Sequence, residues 1–147
     1  MPLIVRWPGH IAPGAVSQQV MVSMDFTPTL LAAAGAPPLS AEQTDGANLL
    51  PQLTGRAAPI PRTLYWRFKA NEQAAVRDGD WKYLKLGGKE HLFNVVADPR
   101  ERAELKAVHP ERFAGMKAKY AEWNAQMLPY PEGSFSESVK NSYPDRY

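Results

Sequence analysis

The 147-residue chain contains no cysteine. Disulfides, thiolate zinc sites and a cysteine nucleophile are therefore excluded from it. Histidine is scarce. His10, His91 and His109 stand far apart, with none of the close spacing that builds a metal site, so each is read as structural or solvent-facing. Charge of one sign is also lacking: 17 Lys and Arg against 15 Asp and Glu leave a net charge of +2. The basic residues are dispersed rather than clustered among aromatics, so nucleic acid is not an expected partner. No apolar run approaches the roughly 20 residues that cross a bilayer, and no membrane segment is expected. The charged and apolar regions of a secretion signal are missing from the N-terminus. As written, the sequence is expected to be cytoplasmic, an expectation that does not carry to a piece of a longer exported protein.

What is there reads as a folded chain: 44% hydrophobic and 22% charged residues, with 14 prolines falling mostly between periodic segments. The stretch "PLIVRWPGHIAPG", residues 2–14, opens on an apolar run, Leu3 to Trp7, bounded by Pro2 and Pro8. So short a run predicts a strand buried on both faces, the kind found in a parallel sheet. Nothing precedes it that would supply the neighbouring strands, which points to truncation. In "SMDFTPTLLAAAG", Asp25 is predicted to cap a helix through its carboxylate, Pro28 falls in the first turn, and Gly35 stops it. Asp45-Gly46 reads as a turn, and residues 36–61 as the connection between two structural units, 1–61 and 62–147.

From Arg62 the texture changes. "RTLYWRF" is aromatic and β-forming, Asp78-Gly79 separates two β-like runs, Gly87-Gly88 supplies another turn, and "KEHLFNV" follows. Four strands linked by tight turns predict an antiparallel sheet. His109-Pro110 opens a helix whose Phe113, Met116, Tyr120, Trp123 and Met127 form one apolar stripe. The stripe is read as packing onto the sheet rather than as a cofactor site. The predicted fold class is α+β: an antiparallel four-stranded sheet packed by a C-terminal helix, preceded by a strand and a helix.

In this order "PLIVRWPGHIAPG", "VSMDFTPTLLAAAG", "DGANLLPQLTG", "AVRDGDWKYL" and "HLFNVVADPRE" resemble the C-terminal portion of the sulfatase family, the arylsulfatase-like branch of the alkaline phosphatase superfamily. The resemblance implies that the preceding strand and helix are a remnant of a larger α/β domain, a late strand and the helix after it, followed by the whole small domain. Family members often carry Asn in a DP-x-E-x-x-N-L pattern. Here Asp98-Pro99-Arg100-Glu101 leads to Glu104 in that place, before Leu105, and only a local change of turn hydrogen bonding is expected.

Sulfatases hydrolyse sulfate esters with a formylglycine made in a C/S-x-P/A-x-R motif. A calcium or similar ion is held by Asp and Asn, and Lys and His stabilise the charges. The resemblance implies that these groups lie upstream of Pro2, so no catalytic residue and no metal ligand is expected in this chain, and calcium only in a complete family member. Ser142-Tyr143-Pro144-Asp145-Arg146 matches S-x-P-x-R formally. Only one residue follows it, so the helix the motif should open has no room, and Asp145 stands where a small residue is usual. Asp25 and Asp45 are read as a cap and a turn, not as metal ligands. In relatives, loops of the small domain edge the active-site cleft. By that resemblance Arg67, Lys69 and Asn71, after the first antiparallel strand, would face a sulfated substrate; an exposed hairpin end is the plainer reading. An alternative function is a stand-alone module without catalysis. The uncovered apolar residues at the N-terminal strand and helix predict a homo-oligomer built on them.

Overall fold

The structure, a computed structural model, describes residues 3–69 and 72–130. The chain forms two compact units, Met1–Ile60 and Pro61–Tyr147.

In the first unit a 3-10 turn, Ser23–Asp25, leads into α1, Phe26–Ala33, and a single-turn helix α2, Leu50–Leu53, lies further on. Pro28 sits inside the first turn of α1, where its missing N–H costs nothing. The helix ends in a Schellman arrangement. Gly35, at φ 70, donates its N–H to the Ala32 carbonyl (3.1 Å), and the Ala36 N–H reaches the Leu31 carbonyl (2.9 Å).

Two expectations fail here. Leu3 to Trp7 form no strand. Strand geometry is stabilised by a ladder partner, and none is hydrogen-bonded to this run among the described residues. The side chains of residues 3–6 face solvent, Ile4 at 92% exposure. Asp25 also does not cap α1 through its side chain. It is fully buried, and its carboxylate accepts the N–H of Val22 (2.8 Å) and of Ala47 (2.9 Å), joining the turn to a loop 22 residues away. Thr29, one helical turn on and buried too, accepts the Leu49 N–H (3.0 Å) and donates to the Ala47 carbonyl (3.4 Å). Residues four apart share a helix face, so Asp25 and Thr29 grip the 47–49 backbone together and seat Leu49, which has no exposure, against the helix. Gly46 makes the approach possible: a Cβ there would overlap the Met24 carbonyl and lie 3.0 Å from the Asp25 nitrogen.

In the second unit four strands pair in chain order: β1 Thr63–Phe68, β2 Gln73–Asp78, β3 Trp81–Leu86 and β4 Lys89–Asn94, all antiparallel. The turns follow the glycines. Gly87 and Gly88 both take positive φ, 56° and 80°, as the two-residue β3–β4 hairpin requires. Period-2 alternation puts Tyr65, Val76, Tyr83 and Leu92 in one row across one face, each opposite the next. The helix α3, Pro110–Ala125, covers that row. Met116 (3% exposed) is buried among Val76, Tyr83 and Leu92, with Phe113 and Tyr120 beside it, and Trp123 stacks on Tyr65 at 5.0 Å. The expected stripe thus packs the sheet as far as Trp123, whereas Met127, the last residue assigned to it, lies past the end of α3.

The turn after β4 is built by carboxylates. Asp98 accepts the N–H groups of Arg100, Arg102 and Ala103, which hold its carboxyl below the usual range. Glu101, at φ 54, forms a two-oxygen ion pair with Lys82 at 2.7 Å. Glu104, in the place of the family's Asn, accepts the N–H groups of Leu92 (3.1 Å) and Lys106 (2.9 Å), while the Leu105 N–H reaches the Leu92 carbonyl (2.9 Å). Both backbone groups of Leu92 on the outer edge of the sheet are thereby occupied.

Candidate functional site

Two open clefts lie in the second unit. One, of about 650 Å³, borders the start of α3. Its charges balance: Asp78 and Glu111 face Arg112 and Lys119, and Lys119 pairs directly with Asp78. His109 there is packed edge-on against Trp81 at 4.9 Å, and Arg112 lies over the same ring. Such a site has no net pull on a charged ligand.

The other cleft, of about 600 Å³, lies between the β1–β2 turn and the end of α3. Arg67, Lys69 and Lys85 give it three cations against one carboxylate, Glu72, and Phe68, Tyr120 and Tyr130 add rings. Strand register explains the cations. Arg67 on β1, Ala74 on β2 and Lys85 on β3 are successive partners in one row, so their side chains leave the same face. The small Ala74 leaves room between the two long ones.

Lys85 pairs with Glu72 at 2.8 Å, which holds the carboxyl of Glu72 below and the ammonium of Lys85 above their ordinary values. Glu72 adopts φ 49, and its N–H bonds the Lys69 carbonyl (3.2 Å), closing the turn. Burial raises the Tyr120 phenol, and the positive charges of Lys85 and Arg67 oppose the rise. Next in the row, the Glu90 carboxylate pairs with Lys117 (2.8 Å) and accepts the Tyr83 hydroxyl (2.8 Å). These partners keep Glu90 ionised below the usual carboxylate range, and burial together with Glu90 pushes Tyr83 up.

Arg67 is held on three sides. Nη1 donates to Asn124 Oδ1 (3.1 Å), Nη2 donates to the Leu128 carbonyl, and the guanidinium lies 4.6 Å from the centre of the Tyr130 ring. Of the three expected substrate contacts, Arg67 and Lys69 line one cleft, and Asn71 lies outside the described residues, as does the 142–146 motif. Reading the sequence missed Lys85, Glu72, Tyr120, Asn124 and Tyr130. Only strand register would have found Lys85, and no local signal marks Tyr130.

Among the described residues no three His, Asp or Glu side chains are placed to hold a metal ion. The Asp25 carboxylate faces two N–H donors, surroundings suited to an anion rather than to a cation's ligand. This chain's described residues therefore do not fit a calcium site. The remaining histidines are packed: His10 stacks on Trp7 at 4.0 Å, and His91 lies against Phe93, its pKa lowered mainly by burial. No helix among the described residues is long and apolar enough to cross a membrane.

Residues 1–124 match the family described as N-sulphoglucosamine sulphohydrolase, C-terminal, and the chain belongs to that family of sulfatase C-terminal regions. Human arylsulfatase A is 37% identical over 103 residues, which are 67% of this chain and 20% of that protein. The N-acetylglucosamine-6-O-sulfatase of Bacteroides thetaiotaomicron is 26% identical over 158 residues, 99% of this chain and 26% of its own length. Among solved structures, that of Ps i-CgsB superposes with a TM-score of 0.70 at 26% identity, over 80% of this chain and 27% of that one. The chain spans about a fifth of the first of these curated relatives and about a quarter of the second.

Proposed function

We propose that this chain is the C-terminal unit of a sulfate ester hydrolase, and that the nucleophile, the metal ligands and the charge-stabilising Lys and His belong to sequence outside its 147 residues. The family match over residues 1–124 carries this reading. Its role is then scaffold and substrate contact rather than bond cleavage. The net positive cleft supports a contact with an anionic substrate through Arg67, at the end of β1, and Lys69. Ps i-CgsB has been crystallised with k-i-k-neocarrahexaose, which supports a saccharide as the substrate class here.

The purified chain, incubated with an aryl sulfate ester and calcium, is expected to release no sulfate; turnover would overturn the reading. Arg67→Ala, placed at the matching residue of a complete relative, should raise KM for anionic substrates, and unchanged kinetics would dismiss the contact.

A second reading, a self-associating module, is favoured by α1. The sequence FTPTLLAA has no charged residue, and Leu30 is 65% exposed. A helix with no charged face and an exposed leucine presents apolar surface suited to burial. Sedimentation at micromolar concentration is expected to give a dimer or larger species through Leu3 to Trp7 and α1, whereas a monodisperse monomer would remove this reading.

A further inference from the structure

We propose that the segment from Met127 to Tyr130 is a strap latched by Arg67, and that an oxyanion entering the cleft unlatches it by competing for the guanidinium. The inference rests on the reading of the cleft as an anion-contacting site. Three observations carry it. Arg67, on the sheet, holds the strap at two points, the Leu128 carbonyl and the Tyr130 ring. The same side chain lines the cleft beside Lys69 and Lys85. The Leu128 side chain itself is 82% exposed, so at that residue the bond to its carbonyl, not side-chain burial, holds the strap.

The competition has a physical direction. A guanidinium bonds a planar or tetrahedral oxyanion through two charge-assisted hydrogen bonds, stronger than its bonds to a neutral carbonyl and a neutral amide. A sulfate or carboxylate placed between Lys69 and Lys85 would take Nη1 and Nη2 from Asn124 and Leu128. Tyr130 then loses its cation, and the strap beyond Met127, whose N–H stays bonded to the Asn124 carbonyl, loses its hold on Arg67. A ligand shifts an equilibrium only through its differential affinity for the two states, and the displaced carbonyl supplies that difference. The cleft would thus widen as it fills, admitting a substituent longer than the sulfate itself.

The absence of cysteine permits a clean test in the full chain. Leu128→Cys keeps the backbone carbonyl that Arg67 holds, and a nitroxide on it reports strap motion. Saturating inorganic sulfate, at ionic strength matched with chloride, should raise the mobile-to-immobile ratio of the label about tenfold. In the Arg67→Ala background the label should be mobile without sulfate and indifferent to it. If that variant fails to fold, Arg67→Lys, which lacks the planar fork, should give a partly mobile label at rest. Sulfate that binds by calorimetry while the label stays immobile overturns the strap and leaves the cleft reading standing. Absence of any sulfate binding removes both.

Discussion

At the scale of single residues, the tightest constraint sits at Gly46. A side chain there meets the Met24 carbonyl, which is backbone and has no rotamer to yield. Gly46→Ala should cost about 3 kcal/mol or more, at the upper end of overpacking, and separate Asp25 from Ala47. Thermal melting of the variant within 1 °C of the parent would contradict the placement. Glu90 is the residue to watch with pH. Its folded pKa lies below the ordinary 4.5, so its contribution to stability is present above that value and is lost as pH falls through the lower, folded value. The parent should therefore lose stability below about pH 4.5, and Glu90→Gln should show a flatter decline there. Identical acid titrations of the two proteins by circular dichroism would refute the assignment. No large figure attaches to the effect, because Lys117, the partner in the ion pair, is about half exposed to solvent.

At the scale of elements, Met116 joins α3 to the sheet. Met116→Ala should cost about 2–5 kcal/mol in chemical denaturation, while Ala118→Ser on the exposed side of the same helix should cost under about 0.5 kcal/mol. Equal losses would mean that α3 does not pack through the face described. This helix and the meander were legible in the sequence, because their signals are local. Asp78-Gly79 and Gly87-Gly88 sit next to the strands they join, and the stripe from Phe113 to Trp123 needs only a helical period. The illegible parts depend on distant partners. Asp25 has the look of a cap, but its carboxylate is claimed by Ala47 across 22 residues. Leu3 to Trp7 has strand composition, yet composition does not provide a ladder. The latch between Arg67 and Leu128 spans 61 residues, and Arg67 alone reads as one more surface cation.

At the scale of the whole molecule, residues 55–61, which run from the end of the first unit into the start of the second, are all exposed. Exposed loops rich in small residues and proline are preferred cleavage sites. Brief trypsin treatment should cut first after Arg56, whose own N–H is bonded only locally, to the Pro51 carbonyl (2.8 Å). Mass spectrometry should then find a resistant fragment starting at Ala57. First cuts inside the meander, at Lys82 or Lys85, would show that the second unit is not compact by itself.

The strand order, in which every neighbour in space is also the next along the chain, has a kinetic consequence. Each pairing closes only a short loop, so little entropy is lost before contacts begin to reward it. The meander can zip outward from either glycine turn without waiting for any distant segment, and α3 arrives last to lock the row it covers. Stopped-flow refolding followed by tryptophan fluorescence should show this unit forming within milliseconds; a dominant phase of many seconds would mean that some remote contact gates its assembly.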